Sequence, residues 1–268
     1  MTRIRKIIIQ TIFVMNRQIS QSEKNEIAKR LVKISKEFNN KTHQSDELEI
    51  NPIVNDIKNY PHLFVLACLM DRQIVAKKAW DIPVKVCEGL CDKDYSMKGL
   101  IILSLDDLKE FFNREKLHRF NDTMADIFYR AVQRIHNVYD DDASKIWQVG
   151  QSSASVVSKF LEFDGCGIKI ASMAANLLHR IYVVKYTDYS ALDVSPDVHV
   201  CRVLYRLGLI EDIGNIDSVI YCARQINPPY PGIIDKCCWN VGRDYCNPSN
   251  PKCGQCPLNN ICYFIKIK

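Results

Sequence analysis

The chain has 268 residues, a formal net charge of +5, and 47% hydrophobic and 25% charged residues. That is enough apolar chain for one large or two small packed domains, and it excludes a disordered or low-complexity protein. No run reaches the roughly 18 apolar residues that a membrane helix needs, so no membrane association is expected. The basic excess is mild and permits nucleic-acid binding without demonstrating it. It is uneven: residues 236–268 hold five Lys/Arg and one acidic residue.

Residues 1–15 (MTRIRKIIIQTIFVM) place basic residues before an apolar run, but Gln10 and Thr11 interrupt it and no small-residue cleavage site follows. They read as a first helix, not an export signal, and a cytoplasmic location is expected, beside the nucleoid in a prokaryote. Over 22–38, Ile27, Leu31, Ile34 and Phe38 recur at helical steps behind Ser22 as N-cap. Pro61 opens an apolar stretch that predicts one buried helix over 61–80. Further helices are predicted at 105–117, 121–138, 152–162, 168–181, 198–207 and 215–226. Asp106, Asn121, Ser152, Asp197 and Asn215 are their cap candidates. The strand-like runs 100–103 and 181–186 are short and isolated. An all-α protein with short connections is expected.

Two segments carry chemistry. The first reads LEFDGCGIKIASMAA over 161–175. Gly165 and Gly167 let the backbone turn tightly and bare its amides, and the helix that follows adds its positive end, so the turn suits a phosphate. An ordinary turn between two helices is the alternative. The second is Cys246-x6-Cys253-x2-Cys256-x5-Cys262, four soft ligands within seventeen residues broken by Pro248, Pro251, Gly254 and Pro257. Thiolates at such spacing suit an iron–sulfur cluster or a zinc ion; two disulfides are the bland alternative. The other eight cysteines are scattered, and Cys87-x3-Cys91 reads as free thiols, not half a metal site.

Between these segments, Asp197 follows Lys169 by 28 residues and opens Asp197-x-His199-x-x-Arg202-Val203. Here the chain resembles the endonuclease III family of helix–hairpin–helix DNA glycosylases. F-D-G-C-G-I-K-I-A is similar to that family's hairpin L-P-G-V-G-x-K-[TS]-A, and P-D-V-H-V-C-R-V to its V-D-x-H-x-x-R-V. Asp235-x-x-x-Trp239-x-x-Gly242-Arg243 resembles the stretch ahead of the family's cluster. The cysteine spacing resembles its C-terminal [4Fe-4S] loop. The resemblance covers roughly residues 60–265.

What the resemblance implies is a two-lobed fold: a six-helix barrel lobe over 60–185, and a lobe joining 1–59 to 186–268 that carries the cluster. It implies a monomeric base excision repair enzyme acting on double-stranded DNA that holds a damaged, modified or abasic nucleotide. Lys169 would be the nucleophile that forms a Schiff base and permits strand nicking; a phosphate contact is its alternative role. Asp197 would stabilise the cationic sugar, with a plain helix cap as its alternative. Cys246, Cys253, Cys256 and Cys262 would hold the cluster, and Gly165 and Gly167 would hold a phosphate. Leu69-Met70-Asp71-Arg72-Gln73 resembles the L-L-S-A-Q segment that fills the gap left by a flipped base, which places the wedge on Gln73. Lys252 falls in the first cluster spacer, where the family carries basic DNA contacts. His199 and Arg202 read as structural. Oxidised pyrimidine is the default base. Alternatives are a monofunctional glycosylase acting on a mismatched or modified base, such as 8-oxoguanine, a methylated base, or thymine or uracil opposite G, and a non-catalytic DNA binder.

The chain departs from the family in three places. Asp164 stands at the hairpin's proline position. Extra residues around 187–196 (TDYSALDVSP) include Asp193, a competitor of Asp197 for the catalytic role. The stretch from Trp239 to Gly242 is shorter than the family's.

Overall fold

The computed structural model describes residues 19–41 and 51–266; the helix expected over 1–15 lies outside them. Among the described residues all regular structure is helical, as the periodicity requires. None of these helices is long and apolar enough to cross a membrane. The chain divides into two units, Thr42–Leu192 and the union of Met1–Lys41 with Asp193–Lys268.

In the second of these, α1 (Gln21–Lys41) starts at Ser20, not at Ser22: Ser20 and Glu23 satisfy each other's amides in a reciprocal cap. Ile27 and Leu31 of α1 enter a core completed by residues from 194 to 262.

The Thr42–Leu192 unit begins with α2 (Pro52–Asn55), α3 (Pro61–Met70) and α4 (Ala76–Leu90). The single helix expected over 61–80 is thus two. All ten residues of α3 are buried, so it is apolar on every side and carries no amphipathic period to mark its end. The polar Asp71-Arg72-Gln73 cannot follow it into the core, and the chain turns there. Each fully buried Leu or Phe of α3 contributes about 1.5–3 kcal/mol. Next come α5 (Met97–Ile101), α6 (Leu105–Arg114), α7 (Asn121–Tyr139), α8 (Ser153–Leu161) and α9 (Ile168–Arg180). Helix α3 packs against α4, α7 and α9 and forms the centre of the unit. The run 100–103 is the end of α5 and the turn after it, and 181–186 is irregular.

The two units meet in the chain at 41/42 and 192/193. Residues 51–59 stay with this unit because α2 packs on α3 and α4 and Asn51 reaches Asp81. Residues 186–192 stay because Tyr186 donates to Ala175 O, and the Ala191 amide donates to Ser153 Oγ.

The remaining helices belong with α1: α10 (Val198–Arg206), α11 (Ile216–Ile226), α12 (Asp235–Asp244) and the short α13 (Tyr263–Lys266). Ser152, Asp197 and Asn215 cap α8, α10 and α11 as expected. Asp106 does not cap α6, because Ser104 and Asp107 form the capping box there. Asn121 lies inside α7 and accepts instead from the His118 amide.

Candidate functional site

The hairpin joins α8 to α9 through residues 162–167. Gly165 has φ +76, and a Cβ there would lie 2.6 Å from Ile127 Cδ1. Both backbone and packing therefore demand glycine. Gly167 differs: its φ is −97, its ψ 177, and a Cβ would meet nothing within 4 Å. Nothing inside the protein requires glycine at that exposed position. Gly167 is the N-cap of α9 and supplies no capping side chain, so the first-turn amides lack a side-chain oxygen. Lys169 follows in that first turn. It is half-buried, and no hydrogen bond or ion pair holds it among the described residues.

Helix α7 braces the hairpin from below. Arg134 pairs with Glu162 and lies over the Phe163 ring. Arg130 lies 3.6 Å from Asp164 and 3.0 Å from Asp126. The acidic residue at the hairpin's proline position is thus partly neutralised by an arginine.

Gln73 stands at an exposed position of the turn between α3 and α4, with φ 56. A non-glycine residue in the left-handed region is uncommon.

In the other unit, Asp197 is half-buried, and its Oδ1 accepts from the amides of His199 and Val200, both at 2.8 Å. Oδ2 makes no hydrogen bond among the described residues. The cap thereby fixes the carboxylate's direction and leaves one oxygen available. Asp193 is bound differently. It is 2% exposed, and Arg224 grips both of its oxygens, Nε to Oδ1 at 2.8 Å and Nη2 to Oδ2 at 2.7 Å. Ser195 N donates to Asp235 Oδ1 at 2.6 Å, which pins the segment between the two aspartates.

The other half of the extra segment is held within the Thr42–Leu192 unit. Asp188 Oδ1 accepts from Ser153 Oγ at 2.8 Å, and the Tyr189 ring lies 4.6 Å from that of His179.

The cysteine loop hangs on α10. Arg202 donates through Nε to Cys246 O at 2.6 Å, through Nη2 to Gly242 O at 2.8 Å, and through Nη1 to Val198 O at 3.1 Å. Its Nη2 also lies 3.0 Å from His199 Nδ1. Arg206, one turn on, donates to Cys246 Sγ at 3.3 Å and to Asn247 O and Pro248 O at 2.8 Å. Gly242 lets α12 approach α10, since a Cβ there would stand 2.6 Å from His199 Cβ. His199 and Arg202 are thus structural groups. Arg206 was not a sequence candidate; its only signal is a second arginine four residues after Arg202 on the same helical face.

All twelve cysteines are free thiols, which removes the disulfide alternative. Burial pushes the Cys256 thiol up to about 11. The Leu258 amide opposes this, while Cys246, Cys262 and Cys253 add to it by repulsion. Cys246 and Cys253 act on Cys262 in the same way. Among the described residues, no three possible ligands form a group that could hold one metal ion. A lone zinc, with Zn–S of about 2.3 Å, needs tightly gathered sulfurs, whereas a multi-iron cluster spreads its thiolates wider. Four thiolates are the donor set that such a cluster takes. Lys252 is exposed within the first spacer, its amide bonded to Tyr245 O at 2.8 Å. Cys87 and Cys91 are buried free thiols, with Cys91 Sγ 3.3 Å from Gly99 O.

Residues 244–262 match the model of the iron–sulfur binding domain of endonuclease III. About nine-tenths of the chain is similar in fold to solved structures. An endonuclease III trapped as a covalent intermediate with DNA is 19% identical with a TM-score of 0.60, the match covering 91% of this chain and 97% of that one. A thermostable thymine-DNA glycosylase is 14% identical with a TM-score of 0.61, covering 90% and 98%. A non-covalent endonuclease III–DNA complex is 19% identical with a TM-score of 0.59, covering 91% and 96%. No curated protein matches the chain. The chain has the fold of the endonuclease III-like helix–hairpin–helix glycosylases and ends in that fold's iron–sulfur segment.

Proposed function

We propose that this protein is a base excision repair DNA glycosylase with AP lyase activity, which removes a damaged base and nicks the strand. Oxidised pyrimidine is the default substrate. The observation that carries this reading is Lys169: a half-buried lysine in the first turn of a helix behind a glycine hairpin, committed to no ion pair among the described residues.

In this reading the α9 amides and Gly167 hold a backbone phosphate, while Lys169 attacks the anomeric carbon of a flipped nucleotide. The attack is made by the neutral amine. The C–N bond to the base breaks as the Lys–carbon bond forms, and the base leaves with its electron pair. Asp197 Oδ2 offsets the positive charge that develops on the sugar. The amine gives up a proton, the C1′–O4′ bond breaks with O4′ taking a proton, and the opened sugar is held as a Schiff base; loss of a C2′ proton then expels the 3′ phosphate by β-elimination, and water releases the enzyme. Gln73 fills the gap in the duplex, and Lys252 contacts the backbone. Cys246, Cys253, Cys256 and Cys262 hold a [4Fe-4S] cluster, whose part here is to fold the loop.

Borohydride should trap the wild-type enzyme covalently on abasic or lesion duplexes. Lys169→Gln should lose trapping and nicking yet still bind DNA. Base release without trapping by the wild type would instead indicate a monofunctional glycosylase, and DNA binding with neither would indicate a non-catalytic binder. A panel of duplexes with one lesion each identifies the base.

A further inference from the structure

Two connecting segments of the Thr42–Leu192 unit are stapled by one buried imidazole. The turn after α3 carries Gln73, and the segment between α6 and α7 carries His118. His118 is 4% exposed. Its Nδ1 accepts from the Phe120 amide at 3.0 Å, so the ring proton sits on Nε2, which points at Met70 O from 3.2 Å. The His118 amide is itself fixed by Asn121 Oδ1 at 2.8 Å. A second tie runs beside it, from Lys78 Nζ to Lys116 O at 2.8 Å.

The turn has a reason to need such a tie. Gln73 holds a left-handed backbone, which costs a non-glycine residue roughly 1–2 kcal/mol and persists only where the surroundings impose it. Arg72, Gln73 and Val75 are all exposed, so burial does not hold them. The bonds within the turn, Asp71 N to Cys68 O and Arg72 N to Met70 O, end before Gln73. Met70 O is where the turn's own bond and the imidazole bond meet.

We propose that His118 is a positioning residue that holds the Gln73 turn in the shape that enters DNA. This rests on the reading of Gln73 as the group that fills the gap beside a flipped nucleotide. His118 is too buried to touch DNA and acts through Met70. Only the neutral ring satisfies both partners in this seat, because a proton on Nδ1 would face the Phe120 N–H and push the ring away from it. Burial chiefly, then the charges of Lys78 and Arg72, oppose that proton, while the bonds to the Met70 and Arg72 backbone favour it. In acid the bridge should open.

The test uses the full cluster-loaded chain and two duplexes, one intact and one with a tetrahydrofuran abasic analogue. The readout is the ratio of the two affinities by fluorescence anisotropy. Gln73→Ala should cut the ratio about 5- to 10-fold, the worth of about one hydrogen bond. His118→Phe should cut it as far, and the double variant no further, because both act through one turn. His118→Gln, which can still donate and accept, should keep the ratio. In the wild type the ratio should fall between pH 7.5 and pH 5.5, and less so in His118→Gln. A normal ratio in His118→Phe beside a lost one in Gln73→Ala overturns the role of His118, as do losses that add. An unchanged ratio in Gln73→Ala overturns the wedge reading itself, and the role of His118 with it. Should His118→Phe fail to fold, the pH arm decides: a wild-type ratio that ignores pH refutes the bridge.

Discussion

The two hairpin glycines should fail in opposite ways when given a methyl group. Gly165→Ala forces an L residue to φ +76, at about 1–2 kcal/mol, and drives its Cβ to 2.6 Å from Ile127 Cδ1. That atom ends a flexible side chain and moves aside, adding about 1 kcal/mol of misfit. The alanine regains some of this by restricting the unfolded chain, so the net loss is about 1–3 kcal/mol. For a unit of this size that lowers the melting temperature by roughly 3–8 °C. Gly167→Ala meets no atom and keeps an ordinary backbone; the gain of about 0.4–1 kcal/mol from a stiffer unfolded chain is offset by alanine's poorer fit than glycine at a helix N-cap, so stability should be nearly unchanged. DNA binding should show the reverse. The methyl at 167 would occupy the space where a phosphate approaches the α9 amides. Affinity should drop about tenfold on every duplex regardless of lesion, since phosphate contacts carry no sequence information. Thermal melts and anisotropy titrations at two salt concentrations read both effects. If Gly167→Ala binds like the wild type, the hairpin is not a phosphate cradle; if Gly165→Ala melts like the wild type, the strain argument is wrong.

Other substitutions separate structural from catalytic groups. Asp193→Asn should destabilise by about 1–3 kcal/mol, discounted because Arg224 reaches solvent, and leave base release nearly intact. Asp197→Asn should slow single-turnover base release by roughly two to four orders of magnitude; the opposite ranking would move the catalytic carboxylate to Asp193. Arg202→Met leaves Cys246 O and Gly242 O without their donor, so it should cost about 2–4 kcal/mol and lower iron content per chain, both measured on anaerobic preparations. His62, His118 and His179 are all held below the usual histidine value, chiefly by burial. Neutral in the fold and protonated in the unfolded chain, they contribute stability above about pH 6.5 that is lost progressively as pH falls below it. Melting temperatures at pH 7.5 and 5.5 should show a drop that His118→Gln reduces.

How much was legible in the sequence follows from how local each feature is. The helix at 121–138 ends one residue later than its period predicts, because amphipathic spacing is a property of the segment itself. Helix α3 is buried on every side, so its period was silent and its end had to be read from Asp71. The capping boxes at Ser20 and Ser104 were readable, since an acidic residue follows each hydroxyl by three, but weaker caps nearby were preferred. Gly165, Asp197 and the four cysteines stand out in the sequence because each belongs to a short motif. Arg206 and His118 could not: their partners at Cys246 and Met70 lie 40 and 48 residues away, and only the fold brings them together.

Helix α10 links the cysteine loop to the proposed catalytic carboxylate. Nine residues are too few to hold a helix in water, so packing on α12 and the two arginine ties set its position. The cysteine loop has little core of its own. Leu258 and Ile261 are its buried aliphatic residues, and turns and prolines make up most of the rest. Ligation therefore supplies much of the loop's folding free energy, as it does in small metal-bound domains. The loop fixes Cys246, Asn247 and Pro248, to which Arg202 and Arg206 are tied, and those arginines fix the body of α10. Asp197 is the cap of that helix, its carboxylate aimed by the first-turn amides. Any slack in the loop reaches Oδ2 as a change of direction. A shift of about 1 Å at a positioned charge is enough to lose about a hundredfold in rate.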